Sequence, residues 1–312
     1  MHELIDRLCL TFSNRILRQK ADAADLKLAN KHIAFSTDSY VVRPLFFPGG
    51  DIGKLAVFGT VNDLSMQGAW PRFISLSFII EEGLEFSLLE KITQSIRQAA
   101  LKSKVLVVTG DIKVVERGAA DKIFINTSGI GDVADRCIGT KAKVGDAIII
   151  NGSIAEHGMA VLEARENFGF TPRIKSDCTN VNFEVARALS ASNNIHVMRD
   201  PTRGGIATTL NEIAKGSQCG IEINEEDIPI KLAVKKMCHV LGFDALYIAN
   251  EGKFICFVSQ KDQEKVKHAI GPRARCIGHV VAKHKGQVYL KTQIGTNRIL
   301  PMLESDPLPR IC

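Results

Sequence analysis

Phe73-Ile74-Ser75-Leu76-Ser77-Phe78-Ile79-Ile80 reads as a strand. Leu88, Leu89, Ile92, Ile96 and Ala99 follow at helical spacing, then the apolar run Val105-Leu106-Val107-Val108, which ends in Thr109-Gly110-Asp111. Aromatic and β-branched side chains suit a pleated, half-buried surface, and apolar residues three and four apart make one helical stripe. This strand–helix–strand succession decides the architecture. Upstream, Ile33-Ala34-Phe35 predicts a strand running into Ser36-Thr37-Asp38-Ser39, so that Asp38 closes it. Pro48-Gly49-Gly50 marks a turn before a helix over 52–68, and residues 122–126 give a further strand. Leu4, Ile5, Leu8, Phe12 and Ile16 predict an amphipathic helix over 3–18. The order of elements implies mixed α/β packing.

Residues 139–145, with Lys141 and Lys143 between glycines, read as a polar connection. Beyond it, residues 147–150 begin a second α/β unit. Helices are expected near 156–168, 182–191, 204–215 and 231–241, and strands near 220–223, 253–258, 275–281 and 287–292. The division is therefore an N-terminal α/β domain over 1–138, a C-terminal α/β domain over 139–294 and a flexible tail over 295–312.

The 312 residues are 45% hydrophobic and 24% charged, the composition of a globular protein with room for two cores. Net charge is +6, and no basic run interleaved with aromatics supports nucleic-acid binding. No apolar run approaches the ~18 residues of a membrane span, and the first residues lack the order of a signal peptide. The eight cysteines are scattered singly, which argues against a zinc ribbon or a thioredoxin motif and suits a reducing cytoplasm.

Four carboxylates, Asp38, Asp63, Asp111 and Asp200, sit in similar contexts, and Asp51 follows a glycine pair. Hard oxygen ligands of this kind suit Mg²⁺ shared with phosphate oxygens, and nearby glycines let backbone N–H groups approach a phosphate. The competing reading is that aspartates at strand ends only cap and turn the chain. The sequence contains neither a P-loop nor a complete dinucleotide fingerprint. The last residues, Pro307-Leu308-Pro309-Arg310-Ile311-Cys312, end in a thiol, with prolines favouring extended backbone. From residue 301 onward such a segment would reach about 35–40 Å. It reads either as a frayed end or as an arm carrying one reactive sulfur.

Longer blocks carry a resemblance. Ser36-Thr37-Asp38-Ser39-Tyr40-Val41-Val42, Pro48-Gly49-Gly50-Asp51-Ile52-Gly53-Lys54 and Gly59-Thr60-Val61-Asn62-Asp63-Leu64 are three of them. Val108-Thr109-Gly110-Asp111-Ile112-Lys113-Val114-Val115, Arg199-Asp200-Pro201-Thr202-Arg203-Gly204-Gly205, Asn250-Glu251-Gly252-Lys253 and Pro309-Arg310-Ile311-Cys312 complete the set. In this order the chain resembles the HypE family of hydrogenase maturation proteins, within the aminoimidazole ribonucleotide synthetase-like superfamily.

The resemblance implies an ATP-binding N-terminal domain and a homodimer whose N-terminal sheets join into a β-barrel. It implies ATP-dependent dehydration of a carbamoyl group on Cys312 to a thiocyanate, the source of cyanide ligands for a [NiFe]-hydrogenase iron. It implies the partners HypF, a carbamoyltransferase, and the HypC–HypD complex. Cys312 is then the carrier, with Glu251 as base and Lys113 beside the thiocarbamate nitrogen. ATP would lie along Asp38, Asp51, Lys54, Asn62, Asp63, Gly110, Asp111, Asp200 and Arg203, with Mg²⁺ on Asp38, Asp63, Asp111 and Asp200. His157 is expected either to approach phosphate or to serve structurally. Family members resembled here open with a glycine-rich stretch that is not found before His2, so weakened nucleotide binding is expected, with a partner-docking scaffold as the alternative function. A small-molecule kinase of the same superfamily is a third reading, against which the terminal thiol speaks.

Overall fold

A computed structural model describes residues 10–12, 32–133, 138–303, 308, 310 and 311. The helix expected over 3–18 falls mostly outside them, as does Cys312. Two sheets organise the described chain, one of four strands and one of seven.

The smaller sheet is built from β1 (Ile33–Tyr40), β4 (Ala69–Glu81), β5 (Leu106–Val115) and β6 (Ile123–Val133), in the order β1-β6-β4-β5. Between β1 and β4 lie a short hairpin, β2 (Phe46–Phe47) with β3 (Gly50–Asp51), and helix α1 (Ile52–Met66). Helix α2 (Phe86–Ser103) crosses over between β4 and β5, which pair in parallel. Alternation along β4 sends Ile74, Leu76, Phe78 and Ile80 into the core shared with α1 and α2. Almost every residue of α1 is buried, which explains its apolar character all round. The sheet is open, and the described residues form no closed barrel.

The predicted strand ends shift in an informative way. β5 does not stop at Gly110-Asp111 but continues to Val115. Its pairing with β4 slips by one residue between Ile74 and Ser75, and beyond that bulge a Cβ on Gly110 would come 2.2 Å from the Leu76 carbonyl oxygen. Glycine stands there because the neighbouring backbone approaches closely, not because the strand ends. Asp38 likewise lies within β1 instead of closing it.

The larger sheet runs β13-β12-β9-β11-β7-β10-β8. Its strands are β7 (Asp146–Ile150), β8 (Ile195–Arg199), β9 (Gly220–Asn224), β10 (Ile255–Ser259), β11 (Arg275–Val281), β12 (Val288–Lys291) and β13 (Asn297–Ile299). Five helices accompany it: α3 (Glu156–Glu166), α4 (Asn182–Ala191), α5 (Gly205–Ser217), α6 (Leu232–Leu241) and α7 (Gln263–Ile270). β7 shows why the sheet is covered on both faces. Ala147 and Ile149 pack in one apolar cluster with Val185 and Ala188 of α4 and Val266 and Ile270 of α7. Ile148 and Ile150 point the other way, into the cluster holding Met159 of α3 and Ile206 and Leu210 of α5.

Within the stretch expected to be a tail, β13 spans Asn297–Ile299, and Leu300, Leu308 and Ile311 are buried. Each of these three side chains finds an apolar seat on the main core.

Candidate active site

A cleft of about 950 Å³ opens between the two sheets. Asp38 reaches it from β1, Asp63 from α1, Asp200 from the residue after β8, Arg203 from the turn before α5, and Glu251 from the loop before β10. Inward alternation of β1 places Ser36, Asp38 and Tyr40 over α1. There the Ser36 hydroxyl donates to Asp63 (2.7 Å) and the Tyr40 hydroxyl donates to Asp38 (3.1 Å). Gly59 keeps this contact open, since a Cβ there would meet the Tyr40 hydroxyl at 2.2 Å.

These carboxylates repel one another. Loss of solvation raises the Asp38 carboxyl, against the Tyr40 hydrogen bond and the Arg203 charge. Desolvation, with Asp38 nearby, lifts Asp63 to about 6, and desolvation together with Asp63 lifts Asp200 to about 7. Glu251, only 5% exposed, is pushed well above the ordinary carboxylate range by burial and then by Asp177, Asp200, Asp38 and Asp63. Concentrated negative charge lining a cleft is what a divalent cation with anionic phosphate relieves. Among the described residues no three His, Cys, Asp or Glu side chains form a ready cage. Hard oxygen donors without a complete cage fit Mg²⁺, which shares its coordination between carboxylates, phosphate and water.

The remaining predicted residues lie elsewhere. Asp51 is the N-cap of α1, accepting from the Lys54 amide (3.0 Å) and the Ser95 hydroxyl (2.7 Å), and Lys54 pairs with it at 3.7 Å. The Asp51 carboxylate thereby satisfies a free amide of the first turn. Asn62 is buried, donating to the carbonyls of Thr179 and Glu251 and accepting from the Val181 amide, so it ties α1 to the loops of the larger sheet. Gly110 packs on β4. Asp111 and Lys113 form an exposed pair (3.5 Å) on edge strand β5, and neither lines the cleft within this chain.

Two residues outside the predicted set hold the Glu251 loop. Asp177 accepts from the amides of Glu251 (3.3 Å) and Gly252 (3.2 Å), and Lys253 pairs with it at 3.0 Å. His157 is fully buried and does not line the cleft. Its Nδ1 lies 2.9 Å from the Ser176 hydroxyl and its Nε2 lies 2.7 Å from the Ile311 carbonyl. The polar run Lys175-Ser176-Asp177-Cys178 has no periodicity to reveal these roles in advance.

The family description "AIR synthase related protein" matches over residues 20–133 with its N-terminal domain and over 143–291 with its C-terminal domain. A carbamoyl dehydratase HypE from Rhizobium leguminosarum bv. viciae is 46% identical over 309 residues, covering 96% of this chain and 88% of its own. The chain belongs to the HypE family. A crystal structure of a hydrogenase maturation protein HypE in complex with ATP superposes with a TM-score of 0.96 at 46% identity, covering 100% of this chain and 96% of that one. A HypE from a HypE–HypF complex superposes with a TM-score of 0.85 at 44% identity, covering 96% and 99%. Among the described residues of this HypE-family chain, no helix is long and apolar enough to cross a membrane.

Proposed function

We propose that the protein is an ATP-dependent carbamoyl dehydratase whose carrier is Cys312. The observation that carries this reading is the meeting of Asp38, Asp63, Asp200 and Glu251 in one cleft, in a chain nearly half identical to carbamoyl dehydratase HypE.

Converting Cys–S–C(=O)NH₂ to Cys–S–C≡N removes one oxygen and two hydrogens. The carbonyl oxygen is a poor leaving group until it attacks the γ-phosphorus of ATP and the bond to the bridging oxygen of ADP breaks. Loss of the nitrogen's protons and cleavage of the C–O bond then release phosphate and form the nitrile. Such transfer is governed by positioning and electrostatics. Asp38, Asp63 and Asp200 would hold Mg²⁺, which supplies charge neutralisation at the phosphates. Arg203, exposed at the cleft rim before α5, is suited to a phosphate oxygen.

Glu251 is the proton acceptor. Its carboxyl is held high first by burial and then by four neighbouring aspartates, so neutralising Asp38, Asp63 and Asp200 lowers it toward a usable base when the cleft is loaded. Lys113 and Asp111 would act from β5 in a homodimer. The outward face of the smaller sheet supports such pairing, since Phe35, Ile79 and Leu106 are exposed on it. Joining of two such sheets into a barrel, HypF as carbamoyl donor and HypC–HypD as cyanide acceptor complete the proposal.

The test loads Cys312 with carbamoyl, adds Mg-ATP and follows intact mass. A loss of one water from the C-terminal peptide is expected, absent in Glu251→Gln and Cys312→Ala. An unchanged mass in the wild-type chain refutes the activity.

A further inference from the structure

His157 is the second residue of α3 and is fully buried, with the Phe47 ring edge-on at a centroid distance of 5.4 Å. Burial lowers its pKa, so the ring is neutral near pH 7. A carbonyl oxygen only accepts, so the hydrogen sits on Nε2 and is donated to Ile311. Nδ1 is then the acceptor of the Ser176 hydroxyl, whose oxygen in turn accepts from the Cys178 amide at 3.0 Å. The donor order is fixed from the Cys178 amide to Ser176 to His157, and from His157 onward to the peptide carbonyl that joins Ile311 to Cys312.

The segment ending at Ile311 is built in from other sides as well. Ile311 is 2% exposed, and Leu308 lies over Gly158, where a Cβ would stand 3.2 Å from Leu308 Cδ1. The Arg310 carbonyl accepts from Arg165 Nη2 (2.8 Å) and from the Arg43 amide (3.3 Å), while the Arg310 guanidinium pairs with Asp121 at 2.8 Å. Ser176 is adjacent to Asp177, the residue that clamps the amides of Glu251 and Gly252. One short bracket therefore touches both the segment that bears the carrier thiol and the loop that bears the base.

We propose that His157 is the positioning residue that seats the terminal segment, its Nε2–H holding the Ile311 carbonyl so that the carrier sulfur departs from a fixed point beside the Glu251 loop. This rests on the carbamoyl dehydratase reading. An apolar contact with Phe47 alone would make His157 a packing residue; the hydrogen bond to Ile311 makes it a latch.

The experiment compares the full chain with His157→Ala, His157→Gln and Arg165→Ala. One readout is the rate at which carboxypeptidase Y removes Ile311, which is independent of catalysis. The other is single-turnover water loss from carbamoyl-loaded Cys312 at varied ATP. His157→Ala is expected to speed Ile311 removal about tenfold and slow water loss by a similar factor with the ATP KM unchanged. His157→Gln, which carries an amide N–H toward the same carbonyl, is expected to restore most of both. Arg165→Ala, a change outside the core, is expected to speed removal severalfold. Removal rates unchanged in folded His157→Ala, or Gln as impaired as Ala, overturn the proposal. If His157→Ala does not fold, Arg165→Ala decides, and an unchanged removal rate there overturns it. Wild-type protein that loses no water while its removal rates respond as stated refutes the activity and leaves the seat standing.

Discussion

Asp177 and Lys253 form an ion pair at 3.0 Å with side chains only 3% and 10% exposed. The pair braces the loop from Asn250 to Lys253 from beneath, because Asp177 also accepts the Glu251 and Gly252 amides. Removing one member of a buried pair leaves the other charge unpaired, at a cost of about 3–5 kcal/mol. Asp177→Asn is expected to lower unfolding free energy by that order in urea titrations and to depress water loss further than the stability change explains. The double variant Asp177→Asn with Lys253→Met is expected to recover much of the stability and little of the activity. Full recovery of activity would show that the Glu251 loop needs no clamp.

Asn62 is a second brace, joining α1 to residues 179–181 and to Glu251 through its hydrogen bonds. Asn62→Ala strands a buried Val181 amide and two carbonyls, at about 2–4 kcal/mol in total. Asn62→Asp keeps the acceptor for Val181 but loses the donor to Thr179 and Glu251. The expected order of thermal stability is wild type, then Asp, then Ala, measured by calorimetry. Equal stability of all three would mean that α1 and the larger sheet are held together without this residue.

Much of the fold was legible because its central elements carry strong patterns. β7 and β10 are continuous apolar runs, and α2 shows a regular stripe through Leu89, Ile92, Ile96 and Ala99. β8 carries little strand signal, since Ile195-His196-Val197-Met198-Arg199 is short, begins just after two asparagines and contains a histidine that pairs with Asp146. The sequence reading ends β5 early because glycine and aspartate are poor strand formers, and the approach of Leu76 explains the glycine. At the site, Asp38, Asp63, Asp200, Arg203 and Glu251 share a cleft although up to 213 positions separate them in sequence. Asp51 and Asn62 belong to similar-looking motifs, and only packing reveals that one caps α1 and the other ties it to residues 179–181 and 251.

The cleft carboxylates predict an unusual dependence on pH. Asp63 and Asp200 have folded values near 6 and 7, against about 3.9 unfolded, so the folded state holds protons that the unfolded state has released. Stability without metal therefore falls as pH rises from about 4 to about 7, and this loss is complete above it. Buried His157, its pKa lowered by burial, contributes with the opposite sign as pH falls below about 6.5. Comparison with Asp200→Asn isolates the carboxylate. The variant is expected to match wild type near pH 4 and to exceed it by on the order of 1–2 kcal/mol near pH 8, after allowance for solvent screening at a partly exposed cleft. Millimolar Mg²⁺ should shrink the gap by stabilising only the wild type. A gap that is the same at both pH values would remove the electrostatic reading of the cleft.

Thiol reactivity supplies the last prediction. Cys178, Cys219, Cys238 and Cys256 are buried, and burial raises each thiol, Cys238 to about 11. Cys178 stands among Glu251, Asp177 and Asp51, whose charges oppose a thiolate still further. The thiolate is the nucleophile, so these four have almost no reactive fraction near pH 7.5. Iodoacetamide applied to native protein, with peptides resolved by mass spectrometry, is expected to leave them unmodified while labelling Cys312. Denaturation should equalise the rates. Labelling of Cys178 as fast as Cys312 would show that the core beside Glu251 opens readily, and a base there would lose the dry surroundings that hold its carboxyl high.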